Sequence, residues 1–151
     1  MSRAETAVKY FDVYNCAQST LAAYADDYGL EKDKALQAAV GFGGGIGRLQ
    51  DVCGAVSAAV IVLGLASGFK EDDGRPKINA VYDTVRRFVA EFTREKGTIK
   101  CSDLLNCDLS SEEGQKYFKE HNLKEQCRSY VRLCCELLDA YIAEGDEPSK
   151  G

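Results

Sequence analysis

The segment 52–66 constrains this chain more than any other. It reads VCGAVSAAVIVLGLA and is apolar all the way round a helical wheel, through Val52, Ala55, Val56, Ala58, Ala59, Val60, Ile61, Val62, Leu63 and Leu65. A helix with no polar face has to be surrounded by other elements. Its β-branched residues would also suit a strand, but its length and its small residues (Ala55, Ser57, Ala58, Ala59) favour a helix. It is shorter than the about 20 residues a bilayer span needs. The sequence therefore predicts a buried central helix over 50–66 and no membrane insertion. The stretch 41–54, GFGGGIGRLQDVCG, leads into it with five glycines in seven residues: Gly41, Gly43, Gly44, Gly45 and Gly47.

Helical periodicity supplies the surrounding elements. A helix is predicted over 4–28, with Tyr10, Val13, Tyr14, Ala17, Leu21, Tyr24 and Tyr28 as its stripe and Gly29 as its C-cap. A shorter one over 31–40 buries Leu36, Ala39 and Val40. A third, over 77–96, opens at Pro76 and closes at Gly97; it carries Ile78, Val81, Tyr82, Val85, Phe88, Val89 and Phe92. The last, over 124–144, lines up Cys127, Val131, Cys134, Leu138 and Tyr141. A helical turn over 102–105 and a short helix to 119, capped by Ser110 or Ser111, complete the set. The fold expected is all-α: a single-domain bundle over 1–145 of about five main helices around 50–66, with 146–151 a flexible tail. A chain of 151 residues suits one such domain.

Charge and motifs exclude several function classes. The net charge is −5 and no basic run or aromatic-basic interleaving occurs, so no nucleic-acid partner is expected. The glycine stretch is not a Walker A loop, because no Gly-Lys-Ser/Thr closes it, and it lacks the GxGxxG frame of a dinucleotide fold. There is no GxSxG or HExxH. The lone histidine, His121, reads as an exposed loop residue, and the pairs Asp26–Asp27 and Asp72–Asp73 as solvated carboxylates. The N-terminal MSRAETAVKYF has no apolar export region, so a cytoplasmic location is expected. In that compartment seven cysteines point to redox or metal chemistry rather than a disulfide framework.

The cysteines are not equivalent. Cys53 is expected in the first turn of the central helix. There, free N–H groups and the positive dipole end stabilise a thiolate or a bound anionic centre, with Arg48 adding to the field. Cys16 lies off its helix's stripe, about 120° from the centre, beside Thr20 and Ala23. Cys101 and Cys107 follow Gly97 with neither a CxxC nor a zinc-finger spacing. Cys134 and Cys135 read as core residues, and Cys134 is two helical turns, about 10 Å, from Cys127.

The order of Cys16 in YNCAQ, then FGGGIG, CGAVSA, Cys101 in KCSDLL and Cys127 in EQC resembles the C-GCAxxG-C-C family of redox-active proteins across nearly the whole chain. The resemblance implies that Cys16, Cys53, Cys101 and Cys127 form one site. Three chemistries stay open. Four thiolates suit an iron–sulfur cluster for electron transfer or redox sensing, with backbone N–H groups of Gly43, Gly44, Gly45 and Gly54 donating to its sulfurs. Thiol–disulfide exchange would use Cys53 as the attacking thiol and Cys16 or Cys101 as its resolving partner, which would make the protein an oxidoreductase. The third is a non-catalytic helical protein with structural zinc or with no site. A redox partner protein is implied by the first two, and a homodimer is one open assembly state.

Overall fold

The computed structural model describes residues 1–145; the tail expected over 146–151 lies outside them. Among the described residues the fold is all-α, with eight α-helices and no strand beyond one isolated bridge. These are α1 (Arg3–Tyr10), α2 (Cys16–Tyr24), α3 (Lys32–Ala39), α4 (Gly54–Ser67), α5 (Gly74–Lys96), α6 (Cys101–Leu105), α7 (Glu112–Glu120) and α8 (Lys124–Gly145). Short 3-10 turns over Ala25–Tyr28 and Val40–Phe42 extend α2 and α3.

The all-round apolar segment is the central helix α4. It packs on α2, α8 and α5, and Gly54, Ala55, Val56, Ala58, Ala59, Val62 and Leu63 are buried. The small residues are what allow the neighbouring backbones to come close. The bundle is closed by α1, which packs on α2 and α8, and by α3, which lies along α2. A polar tie joins α2 to the last helix, α8: the hydroxyl of buried Tyr24 donates to Asp139 Oδ1 at 2.7 Å and stands 2.9 Å from the Cys135 carbonyl.

Three expectations are corrected. The predicted helix 4–28 is two helices, because Asn15 begins a new one. The Asn15 side chain accepts from the Gln18 N–H at 2.9 Å, and Gln18 Oε1 accepts from the Asn15 N–H at 3.1 Å. This reciprocal capping box satisfies two free donors at once and outcompetes continuation of the stripe. Val13, expected in the core, is 76% exposed as a result. The central helix begins at Gly54 rather than near 50, which makes Cys53 its N-cap. On α5, Phe88 and Phe92 are fully buried, but Ile78 and Val81 are only half-buried and Tyr82 is exposed.

Candidate thiol site

Each of the four cysteines singled out by the sequence stands at a helix beginning. Cys16 is the first residue of α2, Cys53 is the N-cap of α4, Cys101 opens the one-turn α6, and Cys127 is in the first turn of α8. All four line one cavity of about 190 Å³, together with Phe11, Leu105, Phe118 and Tyr130. At Cys16 the N–H groups of Ala17, Gly44 and Ala55 face the sulfur, a setting that favours its anion.

Two local structures bring these beginnings together. The capping box at Asn15 fixes the start of α2 and so places Cys16. The bridge between Val52 and Lys100 does the same for Cys53 and Cys101. Across it the Cys53 N–H donates to the Ile99 carbonyl and the Cys101 N–H to the Asp51 carbonyl, both at 2.7 Å. Two segments nearly fifty residues apart are thus held side by side with their cysteines adjacent.

The glycine stretch folds over the cavity as a series of left-handed turns. Gly45 has φ +68°, and a Cβ there would meet the Asp51 backbone nitrogen at 2.7 Å, so only glycine fits. Ile46, Arg48 and Gln50 also hold positive φ, a conformation that disfavours side chains other than glycine's. Gly44, Gly45 and Gly54 line the cavity, whereas Gly43 packs against the Asn15 side chain outside it. Gly54 has the most direct role: a Cβ there would stand 2.7 Å from Cys16 Sγ and 2.7 Å from the Phe42 carbonyl oxygen.

The absence of that Cβ leaves room for the Cys16 sulfur at the start of α4, beside Cys53. The neighbouring Cys53 thiol, as a donor, is the main reason the Cys16 thiol is lowered to about 7; burial opposes this, and N–H groups of Gly44, Ala17 and Ala55 also favour its thiolate. Cys53 moves the other way, well above the ordinary thiol range, because it keeps the shared proton and is buried. The two titrate as one unit. The lowered pKa thus falls on Cys16 rather than on Cys53, the residue that the N-cap position alone favours. Burial raises Cys101 to about 11 and Cys127 to about 12.

The remaining expected residues fall as follows. Cys134 and Cys135 are fully buried core residues, and both titrate high because of that burial. Cys107 is half-buried and does not line the cavity. His121 is exposed and stacks on Tyr117 with ring centroids 3.8 Å apart. Arg48 lies at the cavity wall, exposed on its outer side.

Sequence reasoning missed Gln50. Its side chain is buried, donates from Nε2 to the Cys107 carbonyl at 2.8 Å and accepts at Oε1 from the Leu109 N–H at 2.8 Å. The same Nε2 lies 3.9 Å from Cys101 Sγ. Gln50 thereby pins the loop after α6 to the glycine stretch. Nothing in the local pattern RLQDVC marks it; the capping box N-x-x-Q at Asn15, by contrast, was readable.

Among the described residues no three Cys, His, Asp or Glu side chains stand close enough to hold a metal ion. No helix among them is long and apolar enough to cross a membrane. No curated protein and no solved structure matches the chain. A family model described as "Putative redox-active protein (C_GCAxxG_C_C)" matches residues 14–141, a span that includes all four cavity cysteines. The chain belongs to this C_GCAxxG_C_C family.

Proposed function

We propose that this protein is a thiol–disulfide oxidoreductase whose reacting pair is Cys16 and Cys53. The observation that carries this reading is that Cys16 and Cys53 stand at two converging helix beginnings in one cavity, with Gly54 leaving room for the Cys16 sulfur against the start of α4. Cys16 is the attacking thiolate, half-buried at the cavity wall. It attacks one sulfur of a partner disulfide, forming a Cys16–partner bond and releasing the other half as a thiolate. Cys53, giving up its proton to that leaving half, then attacks the Cys16 sulfur. The Cys16–Cys53 bond forms, the second half leaves as a thiolate and takes a proton from water. Two thiols of the protein are oxidised and one disulfide of the partner is reduced to two thiols.

The test is differential alkylation and mass spectrometry after equilibration across a series of thiol–disulfide buffers. A Cys16–Cys53 disulfide is expected, with a defined midpoint. If both cysteines stay alkylatable at every poise, the reading fails.

A second reading rests on a different observation, that Cys101 and Cys127 share the cavity although the pair does not need them. Four cysteines round one void are the donor chemistry of an iron–sulfur cluster. Cys16, Cys53, Cys101 and Cys127 would hold it, and it would supply one-electron transfer. The Gly44 N–H, which faces Cys16, would donate to sulfur there. Iron, sulfide and a visible charge-transfer band in anaerobically purified protein would support this. Protein that stays colourless and iron-free after reconstitution would remove it.

A further inference from the structure

A second hollow, of about 420 Å³, adjoins the cysteine cavity and shares Arg48, Leu109 and Phe118 with it. Its other walls include Lys119, Asn122 and Lys124, and no carboxylate lines it. This is unusual for a chain of net charge −5. Among the described residues Arg48, Lys119 and Lys124 make no ion pair, whereas nearby Arg128 is taken up by Asp12 and Glu125. The Lys124 ammonium stands 5.3 Å from the centre of the Phe11 ring, and Phe11 lines the inner cavity. That places one positive charge at the seam between the two spaces. Arg48 is held at φ +65°, a conformation a side chain other than glycine's rarely adopts.

From outside inward the chemistry therefore runs from three unpaired cations, through an apolar neck at Leu109 and Phe118, to the sulfurs. A molecule that matches this gradient has an anionic head, a short apolar arm and a sulfur at its far end. The volume suits a small molecule. We propose that the outer hollow docks the anionic head, carboxylate or phosphate, of a low-molecular-weight thiol or disulfide and presents its sulfur to the cysteine cavity. This rests on the thiol–disulfide reading for the inner site, while the anion site itself depends only on the cations.

The test compares alkylation of the cavity thiols by iodoacetate, an anion, with alkylation by neutral iodoacetamide. It uses wild-type protein and the triple variant Arg48→Gln, Lys119→Gln, Lys124→Gln at low ionic strength. The iodoacetate rate should fall about tenfold in the variant while the iodoacetamide rate holds, since only the charged reagent is steered. An unchanged ratio of the two rates overturns the proposal. Amide NMR titration with succinate and with inorganic phosphate gives a readout independent of thiol reactivity. Shifts at Arg48, Lys119 and Lys124 that are absent in the variant support the site, and the stronger of the two anions identifies the head group. No shift with either anion overturns it. If neither alkylating reagent reacts but the shifts appear, the docking site stands and the thiol reading of the inner cavity is what fails.

Discussion

Replacing Gly54 with alanine separates close packing from helix propensity. Alanine in a helix is favoured over glycine by up to about 1 kcal/mol, so propensity alone predicts a gain. The structure predicts a loss. The new Cβ would stand 2.7 Å from Cys16 Sγ, 2.7 Å from the Phe42 carbonyl oxygen and 3.3 Å from the Ala17 Cβ. Two of those three neighbours are a backbone atom and a Cβ, which cannot swing aside. With a backbone oxygen at 2.7 Å the cost lies in the upper part of the overpacking range, about 2–3 kcal/mol, which leaves a net loss of about 1–2 kcal/mol after a propensity gain of about 1 kcal/mol. For a domain of this size that lowers the melting temperature by about 2–8 °C. Gly64, in the same helix, is the matched control, because a Cβ added there would meet nothing within 4 Å. Gly64→Ala should raise stability by up to about 1 kcal/mol. The thiol chemistry responds as well, because the Cβ displaces Cys16 from Cys53. If Cys16 returns from about 7 to the ordinary 9.0, its thiolate fraction at pH 7 falls about fiftyfold while each thiolate becomes about sixfold to tenfold more nucleophilic. The net slowing of iodoacetamide labelling is then about fivefold to eightfold. Thermal unfolding by circular dichroism and site-resolved mass spectrometry measure both effects. A Gly54→Ala protein as stable as wild type, with Cys16 labelled at the wild-type rate, refutes the reasoning.

Other perturbations test neighbouring links. Cys53→Ala removes the main cause of the low Cys16 pKa, so the pH midpoint of Cys16 labelling should move from about 7 towards 9.0. Stability should follow pH with two signs. The lowered Cys16 contributes stability that is full above 9.0 and lost as pH falls through about 7. The raised Cys101, Cys127 and Cys135 contribute stability that is full below 9.0 and lost as pH rises through about 11 to 12. Melting temperatures measured from pH 6 to 11 should therefore peak near 9, as read against those thiol midpoints; a monotonic rise to pH 11 contradicts the assignment. Gln50→Leu strands the Cys107 carbonyl and the Leu109 N–H and should cost about 2–4 kcal/mol in urea unfolding. Tyr24→Phe removes the tie to Asp139 and should cost about 1–2 kcal/mol without changing Cys16 labelling; an altered labelling rate would show that the two regions are coupled.

The sequence by itself determined that the chain is a helical bundle and which helix lies at its centre. An unbroken apolar surface from 52 to 66 has no stable place except inside, so burial of α4 follows from composition along one element. The core role of Cys134 and Cys135 was legible for the same reason, since they share α8 with Val131 and Leu138. Local pattern was less decisive where two local signals competed. The stripe through Val13 argued for one helix, and the Asn15–Gln18 box argued for two. The box won because a satisfied helix beginning outweighs a weak apolar face. The four cysteines were legible only as an ordered set, not as a geometry. Their meeting depends on Val52 pairing with Lys100, on Gln50 holding the loop after α6, and on the space left by Gly54. Each of these is a contact between distant segments that no spacing along the chain encodes. The same holds for which thiol loses its proton. A helix beginning favours a thiolate at Cys16 and Cys53 alike, and only their placement side by side in one cavity, set by tertiary packing, lowers Cys16 and raises Cys53.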